Sequence, residues 1–313
     1  MAVRFCPGVQ TKNNNKKMKR FTLQWNGSKP LVQFLMVICI FMIFAMIAGI
    51  FFIIVPIQNI LLQQAVSSVI MFALSAIVWG KIFENKALEF MSAKKCSYTY
   101  YIFFAFALTV ISAPFVAGLN IWNESWHLPN EQVLKAIQAV SERIMQGLLS
   151  NTTTGGLIAN LLVLALLPAI VEEMFFRGAM QKTLIALCRN TFAGVIITSI
   201  LFSLIHMEIY AFVPRVILGV ILGYLYVWTG NIFVNMTYHF FNNAVVVVAS
   251  YLFYSHRIPI NLNDNHVLFT PLLFALSLLC VALFFFVEIR KQKGIKPRYR
   301  LELPKKIKSK IKK

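Results

Sequence analysis

The chain has 313 residues, of which 58% are hydrophobic and 13% charged, with a mean hydropathy of +0.70. Soluble domains usually hold about 45–50% apolar and about 25% charged residues, so a soluble fold is excluded. The formal net charge of +19 does not point to nucleic acid, because twelve basic residues lie from Arg290 to Lys313 and seven precede Leu31. Basic ends of this kind are topology signals and contacts to anionic lipid, and the expected fold is an all-α polytopic membrane bundle of about 8 transmembrane helices.

In chain order, residues 1–30 form a basic tail expected in the cytoplasm. Residues 31–119 hold three apolar runs, at 31–55, 61–82 and 100–119, each near the length that crosses a hydrocarbon core. Lys81, Lys86, Lys94 and Lys95 between the second and third mark a cytoplasmic connection. The outer loop 120–155 contains an amphipathic pattern over 131–149, with Val133, Ile137, Val140, Ile144 and Leu148 on one stripe. This pattern predicts a helix that lies in the membrane interface instead of crossing it.

Residues 156–254 hold four further runs, at 157–187, 192–210, 214–228 and 232–254, and form the expected functional core. Gly219 and Gly223 in the sixth run make a small-xxx-small pair that permits close helix packing. The last run, 268–287, sits in the segment 255–289 and is followed by the basic tail 290–313. An even number of spans puts both termini in the cytoplasm and leaves only Lys135, Arg143, Arg215 and Arg257 of the thirty basic residues on the far side. Cys6, Cys39, Cys96, Cys188 and Cys280 are scattered, without a metal-type spacing, and no disulfide is expected.

Few ionisable side chains fall inside the apolar runs, and those that stand out are Glu172, Glu173 and Arg177 in the fourth, His206 in the fifth and His239 in the seventh. Glu208 falls at the end of the fifth. An ionised carboxylate at mid-bilayer costs about 2.5–3.5 kcal/mol on insertion scales, so such residues are site candidates by default. A cytoplasmic helix end, where charges are cheap, is the plainer alternative for the Glu pair, but it leaves the two histidines unexplained. Glu173 and Arg177 are four apart and share a helix face, as do His239 and Asn243.

A buried Glu with two His suits the activation of water by either of two routes. The carboxylate can act as a general base, or Glu172, His206 and His239 can bind a divalent metal such as zinc. In the first route the other His and an Asn amide, and in the second the Asn amide, can donate to the oxyanion of a tetrahedral intermediate. An aspartyl dyad is ruled out because Asp264 is the only Asp, and neither Gly-x-Ser-x-Gly nor His-Glu-x-x-His occurs.

Three motifs in order, Glu172-Glu173-Met-Phe-Phe-Arg177, Phe202-Ser-Leu-Ile-His206 and His239-Phe-Phe-Asn-Asn243, resemble those of the CPBP intramembrane peptidases. This family includes the CAAX prenyl endopeptidases and bacteriocin-processing enzymes, and the resemblance covers roughly residues 157–250. It implies Glu172 as the carboxylate that activates water, with His206 as its partner. It implies Glu173 and Arg177 as a supporting ion pair, and His239 and Asn243 as the oxyanion-stabilising or metal-binding pair. The expected activity is hydrolysis of peptide bonds in peptide or lipidated protein substrates, in a bacterial cytoplasmic membrane, with no nucleic-acid partner. A non-catalytic scaffold or immunity protein is the second reading. A proton-coupled transporter is the third, and the chain lacks the inverted repeat such transporters often carry.

Overall fold

The computed structural model describes residues 29–83 and 98–292. The basic tails, save for their residues 29–30 and 290–292, and the loop with Lys86, Lys94 and Lys95 that is expected in the cytoplasm lie outside the described residues. Ten helices follow in order: α1 Pro30–Ile54, α2 Ile60–Phe83, α3 Tyr98–Glu124, α4 Glu131–Leu149, α5 Thr154–Cys188, α6 Thr191–Ile205, α7 Phe212–Thr229, α8 Ile232–Tyr254, α9 Asn265–Leu268 and α10 Pro271–Gln292. No strand occurs among the described residues, and the protein is an all-α membrane bundle. Among the described residues, six helices (α1, α2, α3, α5, α7 and α8) are long and apolar enough to cross a bilayer, while α6 and the apolar part of α10, Pro271–Val287, are shorter. The expected interfacial pattern forms α4.

The fifth run was expected to continue to residue 210, but α6 stops at Ile205. Met207 adopts φ 57°, a left-handed conformation that a non-glycine residue takes only under constraint and that breaks the helix just past His206. The connection that follows is clamped by the fully buried Asn123 of α3. Its Nδ2 donates to the Ile209 carbonyl at 3.1 Å, and its Oδ1 accepts from the Val213 amide at 2.8 Å.

α5 is a 35-residue helix, about 50 Å long at 1.5 Å per residue, so it extends beyond the hydrocarbon core. It widens into π-helical turns at Leu161–Leu166 and Met174–Met180. The first ends just before Pro168, whose missing N–H would otherwise interrupt the α-helical ladder. The second begins directly after Glu173 and contains Arg177.

Pro114 sits inside α3. Ser277 of α10 supports the chain there: its hydroxyl donates to the Ile111 carbonyl at 2.5 Å and accepts the Phe115 amide at 3.2 Å. A neighbouring helix thus supplies the polar group that a proline in a membrane helix requires.

Aromatic rings lead from the first spans toward the centre of the bundle. Phe41 of α1 meets Phe175 at 5.0 Å, Phe72 of α2 meets Phe176 at 5.9 Å, and Phe176 meets Phe202 of α6 at 5.0 Å between ring centroids. On the other side, α7 approaches α6 through glycine. A Cβ on Gly219 would stand 2.9 Å from the Ser199 Cβ, and one on Gly223 would stand 2.7 Å from a Val195 methyl. The glycine pair is therefore where these two backbones come closest.

Candidate active site

Glu173 and Arg177 are both completely buried, and Arg177 Nη1 donates to Glu173 Oε1 at 2.7 Å. Two ionised groups in so dry a place are tolerated only when paired and hydrogen-bonded. The guanidinium has further partners. Nη2 donates to the Gly219 carbonyl at 3.1 Å, and its Cζ lies 5.2 Å from the centre of the Phe202 ring. One turn along, Gln181 Nε2 donates to the Gly223 carbonyl at 3.0 Å. Arg177 and Gln181 of α5 therefore reach Gly219 and Gly223 of α7 in matching four-residue steps.

His239, on α8, comes to the same carboxylate. Its Nδ1 lies 3.0 Å from Glu173 Oε1, the oxygen Arg177 already holds. A carboxylate accepts only, so Nδ1 carries the proton and donates. That fixes the ring with Nε2 directed toward Glu172, whose Oε2 is 3.9 Å away. Glu172 is buried, and its Oε2 has no hydrogen-bond partner among the described residues. A carboxylate oxygen facing an oriented imidazole across a short gap is an arrangement that can hold and deprotonate a water molecule.

The imidazole that approaches Glu172 is that of His239, whereas the family resemblance pairs Glu172 with His206. His206 follows the last residue of α6, and its Nδ1 donates to the Phe202 carbonyl at 2.8 Å, which leaves Nε2 as an acceptor. Phe202 connects the two histidines: its ring centre is 5.1 Å from that of His206 and 6.0 Å from that of His239. Asn243 lies one turn after His239 on α8 and is half-buried.

Sequence reasoning missed several parts of this site. The His239–Glu173 bond joins residues 66 apart on different helices, and no local pattern announces it. Gln181 could have been found as the residue four after Arg177 on the same face. Arg215, counted on the sequence as one of four basic residues on the far side, pairs with Glu208 at 2.5 Å from Nη2 to Oε2. No group of three or more His, Cys, Asp or Glu side chains among the described residues is arranged to hold a metal ion. Glu172, His206 and His239 are not gathered as such a group in this structure.

Residues 154–245, which contain all three motifs and every side chain just described, match the family model for type II CAAX prenyl endopeptidases, Rce1-like. That stretch of this integral membrane protein is thus similar to the Rce1-like endopeptidases. A curated relative, the uncharacterized protein YpbD of Bacillus subtilis (strain 168), is 36% identical over 92 residues, covering 28% of this chain. The match spans 44% of YpbD, so the chain covers less than half the length of that relative. No solved structure matches the chain.

Proposed function

We propose that the protein is an intramembrane endopeptidase that hydrolyses a peptide bond in a membrane-associated substrate, such as the tail of a lipidated or hydrophobic protein. The observation that carries this reading is the meeting of Glu172 and Glu173 with His239, from separate helices, inside the segment that matches the prenyl endopeptidase model.

In this reading Glu172 takes a proton from water, and the resulting hydroxide adds to the scissile carbonyl carbon. His206, with Nε2 free to accept, helps to hold that water. The tetrahedral oxyanion receives a hydrogen bond from the Asn243 amide, and the His239 ring, with Nδ1 committed to Glu173, adds one through Nε2 only once that nitrogen has taken up a proton. Its collapse breaks the C–N bond, and the proton on Glu172 passes to the departing amine. Glu173 is a positioning residue, fixing the ring of His239 while Arg177 balances its charge. The same proposal places the protein in a bacterial cytoplasmic membrane with both termini in the cytoplasm.

The test is the purified full chain in lipid nanodiscs with a panel of farnesylated tail peptides, the fragments followed by mass spectrometry. Glu172→Gln should lower the rate by about 10²–10⁴-fold, the usual worth of a general base, at unchanged thermal stability. A Glu172→Gln variant whose rate stays within a few-fold of the natural enzyme would remove Glu172 from the chemistry.

A further inference from the structure

Helix α4, between the third and fifth helices, presents three distinct faces. Val133, Ile137, Val140 and Ile144 form one stripe, 59%, 54%, 58% and 44% exposed respectively, so apolar side chains face away from the protein. Glu131, Leu134, Gln138, Ser141 and Leu148 are half-buried and Leu149 is buried, which marks the face docked on the bundle. Gln132, Ala139, Glu142 and Gln146 are exposed on the third face, which carries no large apolar residue. With 3.6 residues per turn, the docked face lies about 100° to one side of the apolar stripe and the polar face about 145° to the other.

Docking fixes the rotation of the helix. Lys135 Nζ stands 5.8 Å over the ring of Tyr210, in the connection after His206, and Asn160 Nδ2 of α5 donates to the Leu148 carbonyl at 2.7 Å. The apolar stripe therefore cannot turn inward. Its surroundings identify what covers it. At the end of α3, Trp122 and Trp126 pack edge to face at 5.3 Å, and paired Trp of this kind sits at the headgroup level of a bilayer. Beyond α4, Ile158 and Leu162 in the first turns of α5 are each 53% exposed, so an apolar outer surface continues onto a membrane-crossing helix.

We propose that α4 lies flat in the bilayer surface, its stripe Val133–Ile137–Val140–Ile144 seated in the acyl–headgroup boundary of the leaflet where α3 ends and α5 begins. Lipid covers the stripe, the bundle covers the docked face, and water covers the third. A helix lodged this way buries its apolar side about 5–10 Å into the boundary. Because α4 also holds Lys135 over Tyr210, it forms a lipid-supported border beside the connection that carries His206. The inference does not depend on peptidase activity.

Spin labels on the full chain test it, with the five native cysteines replaced by alanine and single cysteines introduced by Val140→Cys, Ile144→Cys, Ala139→Cys and Gln146→Cys. In vesicles of phosphatidylethanolamine and phosphatidylglycerol, labels at 140 and 144 should collide with dissolved oxygen far more than with a water-soluble nickel chelate. The order should reverse at 139 and 146. Equal nickel access at all four positions would put the stripe in water and overturn the proposal. Shielding of 140 and 144 from both reagents would mean that a second copy or another protein covers the stripe, which also overturns it. Val140→Trp in the otherwise natural chain gives an independent reading. Its fluorescence should be quenched by lipids brominated high on the acyl chain, and no quenching would count against the seating.

Discussion

His239 and Glu173 are joined by a 3.0 Å hydrogen bond between the seventh and fourth long apolar runs, on the carboxylate oxygen that Arg177 also holds. One carboxylate thus serves two functions: it neutralises a buried cation and it aims an imidazole at Glu172.

The two functions separate by mutation. Glu173→Gln should cost about 3–5 kcal/mol, the usual penalty for leaving a buried charge without its partner, and should abolish turnover. Adding Arg177→Met removes the stranded cation and should return most of the stability, measured by thermal unfolding in detergent. Activity should stay low in the double variant because a neutral amide oxygen holds the His239 ring less firmly than a carboxylate does. Recovery of both together would show that Glu173 acts only through stability.

Gly219→Ala brings a Cβ to 2.9 Å from the Ser199 Cβ and 3.1 Å from its Cα, too close for either backbone to accept unmoved. We expect a loss of about 1–3 kcal/mol, as for overpacked cores. Ser199→Gly in the same chain should restore much of it, since the contact is with that side chain and its backbone. A Gly219→Ala variant as stable as the natural protein would show that the helices part easily here.

Ser277→Ala removes a hydroxyl that the chain at Pro114 uses twice. A loss of about 1–3 kcal/mol is expected, the cost of an unsatisfied buried group. Combined with Pro114→Ala, the same change should cost less, because an unbroken helix has less need of Ser277. Identical costs in the two backgrounds would disconnect the serine from the proline.

Cysteines placed at Ser28 and Lys310 should react with an impermeant maleimide only after the membrane is opened. One at Leu262, 41% exposed between α8 and α10, should react from outside in intact cells. Outside labelling at either tail would reverse the orientation that the basic residues indicate.

Most of the helical plan is legible in the sequence because a bilayer demands long apolar runs and leaves charges conspicuous. The fourth run, 157–187, forms Thr154–Cys188, and the sixth, 214–228, forms Phe212–Thr229. Glu173 with Arg177, and His239 with Asn243, are visible as four-residue steps on one helix. The end of α6 is not, because Met207 takes a positive φ and the connection after it is clamped by Asn123, a residue that precedes it by more than eighty positions. The π-helical turns are equally hidden, since apolar periodicity inside lipid carries little signal. Pairings between helices, such as Arg177 with Gly219, depend on packing that no single run encodes.

The matching steps from Arg177 and Gln181 to the carbonyls of Gly219 and Gly223 bear on how the molecule can move. Two bonds in the same register act as a ratchet pawl: sliding or turning one helix against the other by a single residue forfeits both at once, in a medium with no water to replace them. α5 and α7 must therefore travel as one piece. In the proposed peptidase, an opening that admits a substrate to Glu172 would have to be carried by the helices around that piece.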